Sequence, residues 1–571
     1  MKIVRLTALC ISTLLGTNMP SAAQSFRPAM AKTAVEPLLS DEWEQYAPYY
    51  NRCPVTDDGD TCCVGCVALA MGEVMRYYAW PEQGRGQYTY FDEEGCQQEL
   101  TADYAAHSYA WDDMLDDYYR TYTTAQADAV ALLLSDCGVA VNMQYGVSSS
   151  GARSIYQPYA LHTYFGYDEG MQYLYRNFFP QQEWDSIMFT ELSEGRPLLL
   201  SAYSTSLAHA MVCDGYDEDG NFHIVFGNEA GESNGYYYFN YLSPEPWYDK
   251  DSPEGGLNLL QSIVRGIQPS TGGTPRHFYG FSHIDCLSQS DDSVRFVVSC
   301  LSNLGWQMHD GQVGIALKGI NDPDTILSDS TTLIFTYSRE FALEEIEDTV
   351  YTDTIALATA DLGREGKIVP VFEQDGTFIE ARTMVGTPNY LIVAEDGTVQ
   401  SPTEGMAQLS VSNVSFPDSV VLSSKPEFSF TVSNDGAEYS GRIYIALTTS
   451  DDPTDNIFAE VGLSLLGGES MDFSFVRTRL SNVSKGLKRL RIMSDMDLFT
   501  DSLNVLYEGP LAITVLPSDY YTAVVSVSTD NSFLTEAIYD LAGRRMPNDS
   551  PLPPGIYIIR QGTETRKVLI R

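Results

Sequence analysis

Apolar residues at positions 67, 70, 71, 74, 75 and 78 recur at the spacing of one helical face, so the segment from Cys66 is predicted to be an α-helix that ends at Trp80-Pro81. Farther on, Ala210-Met211-Val212-Cys213 and Phe222 to Phe226 read as two strands joined by the turn-rich stretch Asp214 to Asn221. Helical and strand patterns mix in this way over residues 24–267, a region rich in Tyr and Trp, which predicts an α+β domain. Gln268 to Pro275 reads as a linker. Beyond it the period changes to two, as in Ser293 to Val298 and Glu427 to Val432, with turn residues between the runs. That texture predicts all-β sandwich modules at 276–400 and 406–516, followed by a small β-domain at 517–571.

Composition adds limits. A chain of 571 residues is too long for one core, and 44% apolar with 12% aromatic content is ample for several. Asp and Glu number 77 against 34 Lys and Arg, a formal charge of −43 that excludes nucleic acid and anionic membrane surfaces as partners. The first residues carry a different message. A basic start at Met1 to Arg5, an apolar stretch from Leu6 to Leu15 too short to cross a bilayer, and Ser21-Ala22-Ala23 before Gln24 predict a signal peptide at 1–23. No later segment is long and apolar enough to span a membrane, so a secreted or cell-surface protein is expected.

Ten cysteines become nine once Cys10 leaves with the signal, an odd number for an oxidising compartment. Up to four disulfides with one thiol left over are compatible with that count, as are several buried thiols. Cys66 begins its helix after Gly65, where unpaired N–H groups and the macrodipole favour a thiolate. A disulfide is the competing reading for Cys66, and Cys62 or Cys63 compete for the free-thiol role. A base for such a nucleophile would come from His107, His162, His209 or His223. His209 opens a strand 143 residues after Cys66, within the roughly 130–150 residues of papain-type enzymes. The other three are read as satisfied core or surface residues. No H-E-x-x-H or acidic calcium loop occurs, and neither a metal nor a cofactor is expected.

Four ordered motifs then resemble the streptopain family of papain-like cysteine peptidases. Gly65-Cys66-Val67-Ala68-Leu69-Ala70, with Val74-Met75-Arg76-Tyr77 and Pro81, is similar to its nucleophile motif. His209-Ala210-Met211-Val212-Cys213-Asp214-Gly215 is similar to its base motif. Gly138 to Gly146 with Ser148-Ser149-Ser150, and Gln45-Tyr46-Ala47-Pro48-Tyr49, resemble two more. The resemblance implies a papain-like α+β catalytic domain with Cys66 as nucleophile, His209 as base and Gln45 as an oxyanion donor. It also implies a substrate cleft that includes Ser148, Ser149, Ser150 and Ala208. The chain departs from the family after its histidine strand, where Val225-Phe226 stands in place of Asn-Trp; Phe226 retains shielding, and Asn228 is a candidate to orient the base. From Ile538 onward six basic residues face three acidic ones, and Tyr539-Asp540-Leu541-Ala542-Gly543-Arg544 with Pro554-Gly555-Ile556-Tyr557 resembles a type IX secretion sorting domain. The expected whole is a papain-like domain, immunoglobulin-like sandwiches and a tail that meets secretion machinery. Its expected function is a secreted endopeptidase acting on proteins or peptides through a thioester. A catalytically impaired adhesive protein and an acyl transferase or amidase are the alternatives.

Overall fold

A computed structural model describes residues 27–204, 208–227, 233–237, 257–299, 301–320, 332–341, 352–362, 365–402, 404–449, 456–475, 480, 483–495, 503–518, 537–540, 545–546, 555–561 and 564–570. The expected signal peptide lies outside the described residues, as do Cys10, Asn228 and Cys300.

Four α-helices precede or flank one antiparallel sheet in the N-terminal part: α1 (Cys66–Tyr78), α2 (Thr124–Ala140), α3 (Tyr156–Phe165) and α4 (Gln181–Ser193). A hairpin, β1 (Tyr88–Phe91) with β2 (Glu99–Ala102), stands apart. The sheet contains β3 (Gln172–Tyr175), β4 (Leu198–Tyr203), β5 (Ala208–Tyr216), β6 (Phe222–Val225), β7 (Gly235–Tyr237) and β8 (Leu259–Arg265), in the order β3-β8-β4-β5-β6-β7.

The one-sided helix expected from periodicity is in fact enclosed. Every residue of α1 from Val67 to Met75 is buried, including Gly72 and Glu73. The helix packs between α2 and β5, and a Cβ on Gly72 would lie 2.5 Å from Leu134 Cδ2. Alternation missed this because glycine and a carboxylate occupy the second packing face. The start of α2 follows local chemistry: Thr123 Oγ1 accepts from Gln126 N at 3.3 Å, while Gln126 Oε1 accepts from Thr123 N at 2.8 Å.

Two sheets share one core between residues 279 and 400: strands at 283–289, 293–299 and 352–358 face strands at 309–318 and 366–374 across Phe296, Val298, Ile315, Leu317 and Ile368. A second two-sheet body at 409–516 is closed around Phe430, Val432, Ile443, Ile445 and Ile492. Strands at 537–540, 545–546, 555–561 and 564–570 form a final antiparallel sheet.

These bodies are docked. Phe278, Leu304 and Trp306 belong to the N-terminal core, and Trp306 Nε1 donates to the Met171 carbonyl at 2.7 Å. Arg382 binds Glu183 through both guanidinium nitrogens at 2.8 and 2.7 Å. Asn177 donates to the Ser440 carbonyl at 3.1 Å. The expected linker is held too, since Asp168 accepts from Thr271 N at 2.8 Å and Gly273 N at 3.2 Å.

Of the two readings the cysteine count allows, the described residues show thiols. Cys53, Cys62, Cys63, Cys66, Cys96, Cys137, Cys213 and Cys286 are all free thiols, and five of these eight are buried. The five buried ones serve as small apolar side chains in the packing, as free cysteine commonly does.

Candidate active site

Gly65 makes the approach to α1 possible. Its φ of 86° is a left-handed conformation that favours glycine, and a Cβ there would lie 2.7 Å from Met143 Cε and 3.1 Å from Ser150 Cβ. The chain therefore turns tightly onto the helix and presents Cys66 as its first residue. Cys66 is partly exposed, whereas Cys62 and Cys63 are buried, which removes those two as competitors for an accessible thiol. Cys63 Sγ instead donates to Ser150 Oγ at 3.4 Å.

Strand β5 runs past the thiol. Ala210 N donates to Cys66 Sγ at 3.4 Å, so the residue after His209 touches the sulfur. His209 is buried, and its Nε2 lies 2.8 Å from the Phe226 carbonyl oxygen. A carbonyl only accepts, so Nε2 carries the proton and Nδ1 keeps its lone pair. The Phe226 ring stacks near-parallel on the imidazole, with centroids 6.1 Å apart and 11° between planes. Asn234 then fixes Phe226, its Oδ1 accepting from Phe226 N at 2.8 Å.

The orienting partner of His209 is thus a backbone carbonyl, a group with no signature in sequence. Asn234 was also missed; it directly precedes β7, whose Gly235 pairs with Ile224 of β6. Val225 is buried and offers no polar group.

Burial holds both groups neutral. It pushes the His209 imidazole down to about 4, against a smaller opposing effect of the Phe226 carbonyl. It pushes the Cys66 thiol up, while the N–H groups of Ala210, Cys66 and Val67 act the other way. The resting pair is therefore thiol and neutral imidazole, with three donors placed to receive a thiolate once the proton moves.

Gln45 is anchored beside this site, its carbonyl accepting from Val64 N at 3.1 Å two residues before Cys66. Ser148 and Ser149 are exposed on a loop that the Gln144–Gly151 bridge closes, and Ala208 is exposed at the start of β5. Ser150 departs from the cleft expectation. It is buried, and its hydroxyl bonds the Cys63 carbonyl at 2.8 Å and Gly146 N at 3.0 Å; it fastens the loop under Gly65. The remaining histidines have structural partners: His107 with Asp136 at 2.8 Å, His162 with the Tyr167 carbonyl at 3.2 Å and His223 with Asp214 at 2.6 Å. Among the described residues no His, Cys, Asp and Glu cluster could hold a metal ion.

Residues 43–237 match the Peptidase C10 family. The thiol protease/hemagglutinin PrtT of Porphyromonas gingivalis is 34% identical over 242 residues, covering 42% of this chain and 27% of that protein. Streptopain of Streptococcus pyogenes is 32% identical over 216 residues, 37% of this chain and 54% of that protein. The chain thus spans about a quarter of the first relative and about half of the second. The solved structure of the interpain A cysteine protease of Prevotella intermedia is 33% identical, with a TM-score of 0.39, covering 42% of this chain and 97% of that one.

Proposed function

We propose that this chain, whose residues 43–237 belong to the Peptidase C10 family, is a cysteine endopeptidase that cleaves proteins through a thioester on Cys66. The observation that carries the reading is the fixed tautomer of His209: with Nε2–H committed to the Phe226 carbonyl, Nδ1 is the basic nitrogen on the strand whose next N–H touches the Cys66 sulfur.

In the proposed reaction His209 takes the Cys66 proton as the sulfur attacks the scissile carbonyl. The three N–H donors around the sulfur and the α1 N-terminus stabilise the developing charge. The oxyanion is received by the Gln45 amide and the Cys66 N–H, each donor worth about 3 kcal/mol in comparable sites. The imidazolium then protonates the leaving amine, and the thioester is hydrolysed with His209 again as base. Phe226 shields the imidazole, and Asn234 is a positioning residue that acts through the Phe226 backbone.

The two sandwich bodies, read as immunoglobulin-like modules, serve as docked supports for this domain. The basic β-tail serves as an export address that contacts secretion machinery, which would place the mature protein outside the cell. Among the described residues no helix is long and apolar enough to cross a membrane.

Alkylation tests the pair. At pH 5.5, where His209 is neutral and a free thiol is inert, iodoacetamide is expected to label Cys66 before any other cysteine, as mapped by peptide mass spectrometry. His209→Ala is expected to slow that labelling by about tenfold or more. Labelling of Cys66 no faster than a small free thiol, or unchanged in His209→Ala, would remove the basis for the peptidase reading.

A further inference from the structure

A cavity of about 660 Å³ lies away from Cys66, between the N-terminal domain and the first sandwich body. None of Cys66, His209, Gln45 and Phe226 lines it. Its size falls within the roughly 300–1,000 Å³ of small-ligand sites. Tyr88, Tyr159, Asn142 and Glu169 come from the N-terminal domain, and Trp306 and Met308 come from the sandwich. The two sides are joined by Gln307 Nε2 donating to Glu169 Oε1 at 3.2 Å and by the Trp306–Met171 hydrogen bond. The wall is therefore complete only because the domains are docked.

The lining has a definite chemical bias. It is rich in aromatic faces, with Tyr159 44% and Met308 72% exposed at the mouth. Glu169 is the one carboxylate among the lining residues, and no Lys or Arg accompanies it. Asn142 adds an amide side chain to the same wall. Aromatic faces and a carboxylate together suit a ligand that is positively charged and rich in donors. An anion would meet Glu169, with the His162 and His277 imidazoles as the only basic groups in the lining. The −43 charge of the whole chain adds a long-range attraction of the same sign.

We propose that this cavity is a second binding site, separate from the catalytic centre, for the ammonium or guanidinium group of a lysine or arginine side chain. That the group is carried on a peptide, which the site would tether for cleavage, rests on the peptidase reading above; the cation chemistry does not. The cavity also backs onto segments that seat the nucleophile. Asn142 precedes Met143, which packs under Gly65, and Tyr156 precedes Gln157, whose Nε2 donates to the Val67 carbonyl at 3.0 Å.

The test uses the full-length Cys66→Ala protein, so that binding is read without hydrolysis. Acetyl-Gly-Arg-Gly-amide and its lysine counterpart are titrated by calorimetry, beside the citrulline peptide, which keeps the shape and loses the charge. Saturable binding of both basic peptides is expected, weaker by about tenfold or more for citrulline, for Glu169→Gln and for Tyr159→Ala, and falling with added salt. Equal binding of the citrulline peptide, indifference to Glu169→Gln, or preferential binding of a neutral oligosaccharide would each overturn the proposal. So would the absence of binding at millimolar peptide. Loss of casein hydrolysis in the wild type, by contrast, would overturn the peptidase reading and leave this cation site standing.

Discussion

Cys66→Ala is expected to end casein hydrolysis, lowering the rate by at least about a thousandfold, with His209→Ala close behind. The size follows from the roles proposed: the alanine variant has no atom to attack the carbonyl, and the histidine variant has nothing to take the thiol proton. Burial holds Cys66 protonated at neutral pH, so the sulfur does not compensate for a missing base. Both variants should fold, because Cys66 is partly exposed and neither change leaves a buried charge. Proteolysis assays with purified proteins, alongside thermal melts, separate loss of chemistry from loss of structure. Hydrolysis retained by a folded Cys66→Ala protein would end the account. An inactive but folded wild type would favour the adhesive alternative.

The second large effect concerns stability and pH. Asp41 and Glu73 are buried carboxyls, and Asp41 Oδ2 and Glu73 Oε1 have no hydrogen-bond partner. Burial pushes Asp41 up to about 7, with its own N–H and Arg76 opposing. Burial also holds Glu73 well above the usual carboxylate range, helped by the charges of Asp41 and Asp214. Both groups bind protons more tightly folded than unfolded. Their contribution is therefore fully present below the unfolded value of about 4 and is lost as pH rises through the folded value. For Asp41 that window runs from about pH 4 to about pH 7, and the loss is on the order of a few kcal/mol. Asp41→Asn is expected to raise the melting temperature by several degrees at pH 8 and to change it little at pH 4. Thermal melts of both proteins across that range check it; a variant that melts at or below the wild type at pH 8 would show that burial does not disfavour the ionised Asp41 carboxylate. Glu73 also reaches the segment after β6, where Gly227 follows Phe226 and a Cβ on it would lie 3.8 Å from Glu73 Oε1.

Much of the N-terminal domain was legible because its chemistry is written in side chains. Gly65 before an apolar helical run places a cysteine at a helix start, and the structure puts Cys66 there. The spacing to His209 and the turn at Asp214 to Asn221 mark the two strands that became β5 and β6. What failed to show has physical reasons. The partner of His209 is the Phe226 carbonyl, which every residue type possesses, so Val225 in place of a polar residue looked like a loss when the bond had moved to the backbone. Asn234 acts on that carbonyl's own residue from across a turn, a relation that only the fold creates. Ser150 resembles a cleft residue by sequence and is a buried fastener in space. Cysteine parity left cross-links and buried thiols both open, because it counts sulfurs without seeing that Cys62, Cys137 and Cys213 are packed as apolar side chains. The cavity at Trp306 was invisible for a different reason, since its walls come from two domains.

The central claim is that Cys66 carries the acyl group during turnover, with His209 held by Phe226 as its base. The direct measurement is acid-quenched mass spectrometry of the full-length protein turning over a peptide ester, followed by peptide mapping. The account predicts one acyl group on Cys66, removed by hydroxylamine as a thioester is, absent from Cys66→Ala and greatly reduced in His209→Ala. Turnover with Cys66 unmodified throughout, or with the acyl group on another residue, would contradict it.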